Sequence, residues 1–150
     1  MARTLPEGTR RELYRIYAEV DALLEGASCD ASTDCCRFGV TGREPYLTAV
    51  EIAELERASR ARGGIPKRRR LPVAGERRCA FLSDEGRCWV YDARPFGCRT
   101  FFCDRAVLPG RSPRAAIARL TRDLSALAEG FARDAGGARP MSRVFPTGGR

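Results

Sequence analysis

The 150-residue sequence contains no histidine, a single lysine and no long uninterrupted apolar stretch. The absence of histidine excludes zinc fingers with mixed cysteine and histidine ligands, and it removes the most common general base of enzymes. No segment offers the roughly 20 apolar residues that a membrane-spanning helix needs. Residues 1–6 lack the hydrophobic core of a secretory signal. We therefore expect a cytoplasmic protein with no membrane partner.

The formal net charge is +8, and nearly all of the positive charge comes from arginine. This count treats cysteine as neutral, whereas a metal-bound cysteine is a thiolate, so seven thiolates would remove most of the excess. One basic run stands out, formed by Lys67, Arg68, Arg69 and Arg70. Such a run can bind phosphate or lie in a solvated loop. Because no aromatic residue is interleaved with it, we favour the solvated loop over a nucleic-acid-binding module.

The seven cysteines fall into two groups separated by a predicted helix. The groups are Cys29, Cys35 and Cys36, and Cys79, Cys88, Cys98 and Cys103. In a reducing cytosol, an odd number of cysteines favours metal ligands or redox groups over a disulfide framework. Several thiolates without histidine suit zinc or an iron–sulfur cluster better than magnesium, calcium or manganese. The wide gaps in the second group do not identify the metal.

Two helices are predicted from their start signals. Thr9 and Glu12 form a potential capping box before a run of apolar residues at helical spacing, and Gly26 is the expected end of this first helix. Thr48 and Glu51 form a second capping box. Leu47 and Ile52 occupy the positions of a hydrophobic staple around it, so a second helix is expected to begin at Thr48 and to end at the glycine pair 63–64.

A third helix, expected to be the longest, is predicted to open with Ser112 as its cap and Pro113 at its first position. Its apolar stripe consists of Ile117, Leu120, Leu124, Leu127 and Phe131, and the glycine pair 136–137 is expected to close it. Residues 27–46 show no sustained period, which predicts an irregular loop. The acidic residues and glycine at 84–86 lie between β-forming residues and favour a turn.

These features predict a small, mainly α fold with irregular cysteine-rich loops and at most one small β-hairpin, stabilised by metal as an α(+β) domain. We expect a single cysteine-cluster domain over residues 1–138, with its core at 27–105. The low hydrophobicity of residues 139–150 predicts a loosely ordered tail.

Residues 29–103 resemble the YkgJ-type cysteine-cluster family, which is regarded as zinc- or iron-chelating. The segment GRCWVYDARPFGCRTFFC, residues 86–103, follows the family pattern GxC-x-x-Y-x-x-RP-x-x-C-R-x-F-x-C, and the family's LT-x-x-E helix start occurs at 47–51. The family opening is CxxCxxCC. Aligned on residues 35–36, it places the first cysteine on Cys29 and the second on Ser32. A serine hydroxyl is a poor substitute for a thiolate.

The resemblance implies a metal-binding protein, with either a zinc ion or a four-iron four-sulfur cluster held by some of the seven cysteines. The adjacent pair Cys35 and Cys36 is awkward around one tetrahedral ion, which favours iron. Cys98 is the strongest single candidate, because Arg94 and Arg99 could place positive charge beside its thiolate.

Related cysteine clusters occur in a flagellin lysine methylase, so the resemblance also permits an iron–sulfur-dependent enzyme or an accessory protein in protein or peptide modification. The sequence shows no recognisable cofactor fold, glycine-rich phosphate loop or catalytic dyad. Whether the protein is an enzyme, and which protein partner it has, therefore stay open at this point.

Overall fold

The computed structural model describes residues 3–25, 34–67, 77–100 and 113–147. Within these ranges the chain forms six α-helices, two 3₁₀ helices and two short strands. The α-helices are α1 (Glu7–Leu23), α2 (Phe38–Thr41), α3 (Ala49–Ala61), α4 (Phe96–Arg99), α5 (Arg114–Phe131) and α6 (Met141–Val144). The 3₁₀ helices are Asp34–Cys36 and Tyr91–Ala93, and the strands are β1 (Tyr46–Leu47) and β2 (Arg139–Pro140). The predicted mainly α fold class is confirmed.

Helices α1, α3 and α5 pack against one another, and the short α4 packs against α1. Their apolar faces form one core, because the residues that recur at helical spacing all point to the same interface. Its buried members include Leu13, Ile16, Tyr17, Val20, Leu24, Val50, Ala53, Phe96, Leu120 and Leu124. The predicted face of α1 is thus confirmed except at Leu23, which is exposed.

A second core lies beneath the cysteine-bearing segments. It joins the other face of α3 to the residues around Cys79 and to the C-terminal segment. Its buried members include Phe38, Leu47, Ile52, Leu55, Cys79, Phe81, Leu82, Val90, Met141 and Phe145. Helix α3 therefore lies between the two cores and carries residues into both.

The predicted start of α3 is confirmed. Thr48 and Glu51 form the capping box, and the staple residues Leu47 and Ile52 are both buried in the second core. The helix ends at Ala61, and the glycines at 63–64 follow it with positive φ angles of 86° and 102°. Glycine adopts this left-handed conformation without a steric penalty.

The predicted start of α1 is wrong. The helix begins at Glu7, and the carbonyl oxygen of Pro6 accepts a hydrogen bond from the Arg10 N–H at 2.9 Å, so Thr9 lies inside the first turn. Pro6 is the N-cap, with an extended ψ of 145°, so the helical conformation begins at the next residue. The described helix ends at Leu23, and the expected stop at Gly26 lies outside the described residues.

Helix α5 follows Pro113 and is the longest helix in the described part of the chain. The predicted start is wrong by one residue: Pro113 is the N-cap and not the first helical residue, so the helix begins at Arg114, and Ser112 lies outside the described residues. The helix ends at Phe131 rather than at the glycine pair 136–137. Ala132 leaves the helical conformation and is itself buried, and Gly136 then turns with a φ of 71°.

The C-terminal segment differs most from its prediction. Residues 139–147 are not a loose tail: β2 pairs antiparallel with β1, and α6 follows directly. The Met141 N–H donates to the carbonyl oxygen of Pro45 at 2.9 Å, and the Ser142 N–H donates to the Glu44 carboxylate at 2.8 Å. Met141 and Phe145 are buried in the second core, so apolar burial and these hydrogen bonds together order the segment.

The loop predictions are confirmed only in part. At the predicted hairpin, Gly86 turns the chain with a φ of 75°, but the paired residues amount to one bridge between Leu82 and Cys88. The part of 27–46 that is described is not irregular, because it contains a 3₁₀ helix, α2 and β1. Phe38 anchors α2 in the second core, and Gly42 ends it with a left-handed φ of 68°.

In the described ranges, we find no helix with the length and apolar character needed to cross a bilayer.

Candidate metal centre

Backbone hydrogen bonds join the two cysteine groups. The Cys79 N–H donates to the carbonyl oxygen of Cys36 at 2.7 Å, and the Gly39 N–H donates to the carbonyl oxygen of Arg77 at 2.8 Å. Beyond Cys79, the chain turns back, and the backbone of Cys88 forms an antiparallel β-bridge with Leu82. Three cysteines from two distant parts of the sequence are thereby held in one region of the fold.

Five of the seven candidate ligands lie in the described residues. Cys35 is exposed, Cys79 is buried, and Cys36, Cys88 and Cys98 are partly buried. The pKa of every one of these thiols except that of Cys35 is raised in part by negative charge on other cysteines. The five thiols therefore share one electrostatic neighbourhood. Cys29 and Cys103 lie outside the described residues, as does Ser32.

The thiols at Cys36 and Cys98 resist ionisation. A hydrogen bond with the Cys35 thiol raises the pKa of Cys36, and burial and the charge of the other cysteines raise it further. The pKa of Cys98 is well above its usual value because of burial first, and then because of neighbouring cysteines and Glu51. Such a group of thiolates is unfavourable without nearby positive charge, which a bound metal ion or cluster would supply.

The backbone around Cys79 and Cys88 favours thiolates. Burial raises the pKa of Cys79 to about 12, but hydrogen bonds from the N–H groups of Phe81 and Leu82 act in the opposite direction. Burial also raises the pKa of Cys88, against a hydrogen bond from the Val90 N–H. Backbone N–H groups directed at sulfur stabilise its ionised form. This donor arrangement fits thiolates that bind a soft metal.

The described side chains alone do not complete a coordination shell. Across residues 3–25, 34–67, 77–100 and 113–147, no three or more histidine, cysteine, aspartate or glutamate side chains are arranged to hold a metal ion. What fits zinc or iron is the chemistry of the donor set, which consists of cysteine thiols and backbone N–H groups.

The two arginines near Cys98 are not among the main influences on its pKa, which are burial, other cysteines and Glu51. The Arg99 guanidinium is bound by backbone oxygens instead: its Nε donates to the carbonyl oxygen of Arg94, and its Nη2 donates to that of Asp92, both at 2.8 Å. The positive charge of Arg94 instead lowers the pKa of Cys88, although burial there has the larger effect. A position next to a cysteine in sequence does not place a long side chain beside its sulfur.

Sequence reasoning identified Glu51 only as a helix cap, but the structure gives it a second role. The Glu51 side chain is 1% exposed, and its Oε1 accepts hydrogen bonds from the Phe96 N–H at 2.7 Å and the Tyr17 hydroxyl at 3.3 Å. It thereby connects α3 to the helix that carries Cys98. A capping-box pattern reports contacts within one turn, so it holds no signal for a bond that spans 45 residues.

The basic run lies almost entirely outside the described residues. Lys67 is exposed, and residues 68–70 belong to the part of the chain that the structure does not describe. The preference for a solvated loop over a nucleic-acid interface stays a prediction.

Comparison with known proteins identifies one family. Residues 28–112, more than half of the chain, match the CxxCxxCC family model, described as "Putative zinc- or iron-chelating domain". No curated protein and no solved structure matches the chain. The matched range includes all seven cysteines, α3 and α4.

Proposed function

The chain belongs to the CxxCxxCC family, and on that premise we propose that it binds zinc or an iron–sulfur cluster through cysteine thiolates. The observation that carries the proposal is the convergence of two cysteine groups through the bond between Cys79 and Cys36. The candidate ligands are Cys29, Cys35, Cys36, Cys79, Cys88, Cys98 and Cys103.

Of the two metals, we favour iron in a four-iron four-sulfur cluster. A single tetrahedral zinc ion takes four ligands, and this sequence offers seven thiols in its matched range. Cys35 and Cys36 are adjacent in a 3₁₀ helix, where two neighbouring side chains approach one small ion with difficulty. A larger cluster separates the points at which its ligands bind.

The function that we favour for the bound group is a structural cross-link. A bound zinc ion or cluster supplies positive charge to otherwise destabilised thiolates. The chain supplies the thiols, and the N–H groups of Phe81, Leu82 and Val90 orient two of them. Since the ligands come from segments far apart in sequence, binding would be coupled to the stability of the fold. Ligation requires reduced thiols, which favours the cytoplasm.

Anaerobic purification followed by elemental analysis, a sulfide assay and an absorption spectrum tests the proposal. We expect iron and acid-labile sulfide, with a visible chromophore that fades in air. Zinc without sulfide would support metal binding and reject the cluster. Metal below about a tenth of an equivalent, with all seven thiols freely titratable, would overturn the proposal. Turnover on a peptide would instead support the alternative of a protein-modifying enzyme or accessory protein.

A further inference from the structure

Cys98 lies on a helix that is too short to be stable by itself. Helix α4 comprises four residues, Phe96–Arg99, and a helix of one turn is unstable in water because nucleation costs more than its few hydrogen bonds return. The position of the Cys98 sulfur therefore depends on what the rest of the fold does to α4.

The first N–H group of α4 is held by a buried carboxylate. The Phe96 N–H has no partner within the helix, as at the start of any α-helix. Glu51 Oε1 accepts it at 2.7 Å, and both groups lie in the protein interior. A buried N–H without an acceptor would be costly, so this bond specifies where α4 begins.

In the four hydrogen bonds that the Glu51 carboxylate forms with described residues, it is the acceptor. Oε1 accepts from the Phe96 N–H and the Tyr17 hydroxyl, and Oε2 accepts from the Thr48 N–H and hydroxyl, each at 2.9 Å. Each oxygen therefore faces one backbone N–H, which cannot reverse its role. A glutamine here would direct its NH₂ group at one of these two N–H groups in either orientation.

We propose that Glu51 is a positioning residue for Cys98, because its carboxylate joins the start of α3 to the start of α4 and so fixes the thiol before metal is captured. The metal part of this inference rests on the proposed function. The positioning part concerns the folded chain and can be tested separately.

Glu51→Gln is the test variant, and Glu54→Gln is its matched control. Glu54 lies on the same helix, has 0% exposure, and accepts hydrogen bonds from a tyrosine, Tyr14, at 2.8 Å and from Arg57 at 2.7 Å. Its side-chain hydrogen bonds in the described part of the chain go to α1 and to its own helix, not to α4. Both substitutions should reduce overall stability, but only the first removes the bond that positions α4.

The measurement is alkylation of each cysteine by iodoacetamide in the protein as purified, followed by peptide mass spectrometry. The ratio of Cys98 to Cys79 labelling is read within one molecule, so a general loss of stability raises both rates and leaves the ratio nearly constant. We expect Glu51→Gln to raise this ratio on the order of tenfold, the effect of losing a buried hydrogen bond, and also to speed hydrogen exchange at the Phe96 amide, a readout that the charge of Glu51 on the Cys98 thiol does not affect. Glu54→Gln should leave it unchanged. An equal ratio in the two variants would overturn the inference.

Two further measurements separate a failure of the positioning role from a failure of the proposed metal binding. Metal transfer to a chelator should be faster in Glu51→Gln than in Glu54→Gln, whereas a metal-free wild type would defeat the proposed function and leave the labelling test intact. Should Glu51→Gln fail to fold, amide hydrogen exchange in the wild type replaces it. Exchange at Phe96 as slow as in the middle of α3 would support the inference, and exchange at the rate of a surface amide would refute it.

Discussion

The guanidinium of Arg99 lies over the ring of Tyr17, with 4.1 Å between Cζ and the ring centroid. The Arg99 side chain is 4% exposed and also forms an ion pair with Asp21. Together with its bonds to the carbonyl oxygens of Asp92 and Arg94, these contacts connect α4 to α1 and to the preceding turn. The planar guanidinium is suited to this combination of stacking and several directed hydrogen bonds.

Arg99→Lys should therefore destabilise the protein by about 1–3 kcal/mol, because an ammonium group cannot stack on Tyr17 and donate to three acceptors at once. Arg119→Lys is the control, since Arg119 is about half exposed and pairs with Glu19 and Asp123 at the surface. Such surface pairs contribute little. Chemical denaturation measures both variants, and equal losses of unfolding free energy would contradict the prediction.

Gly97 permits the close approach of α4 to the loop before β1. A Cβ at this position would lie 2.9 Å from Cβ of Pro45 and 3.4 Å from its Cα. Gly97→Ala should cost about 1–3 kcal/mol, because the rigid proline ring cannot move aside without shifting its backbone.

Gly130 provides a matched control for Gly97. It lies within α5, and a Cβ added there would meet no described neighbouring atom within 4 Å. Gly130→Ala should stabilise the protein by about 0.5–1 kcal/mol, because alanine loses less conformational entropy in a helix. Thermal unfolding of both variants tests the pair, and a Gly97→Ala protein at least as stable as the wild type would show that α4 is not held against Pro45.

Met141→Ala tests the order of the C-terminal segment. Met141 is 1% exposed in the second core, so its truncation should cost about 2–5 kcal/mol. Arg143→Ala in the same short helix should change stability by less than about 0.5 kcal/mol, because Arg143 is exposed. Denaturant titration gives both values. If Met141→Ala costs as little stability as Arg143→Ala, the segment is loosely ordered, as the sequence predicted for residues 139–150.

Cys98→Ser and Cys98→Ala distinguish a metal ligand from a packed thiol. If Cys98 is a ligand, both variants should lose metal, and both should lose stability with it. As a packed thiol, it should leave metal content unchanged, and the alanine variant should show a modest packing cost. Elemental analysis and thermal unfolding decide between them, and full metal retention by both variants would remove Cys98 from the site.

Local signals in the sequence were reliable where neighbouring residues decide the structure. The capping box at Thr48 and Glu51, with its hydrophobic staple, correctly located the start of α3, because all four side chains lie within about one turn of it. The same pattern at Thr9 and Glu12 misled, since Pro6 begins the helix earlier and Glu12 instead accepts a hydrogen bond from Arg15. A pattern of side chains cannot show which of two overlapping start signals prevails.

The sequence by itself determined the mainly helical fold, the apolar faces of α1 and α5, and the cysteine motif that leads to the family. Tertiary structure decided how the cysteines meet, through the bond from Cys79 to Cys36, and which charges surround Cys98. It also gave Glu51 its bond to Phe96 and ordered Met141 in the second core. Caps and periodicity depend on residues a few positions apart, whereas these contacts join residues far apart in the chain, whose meeting is settled only when the helices pack.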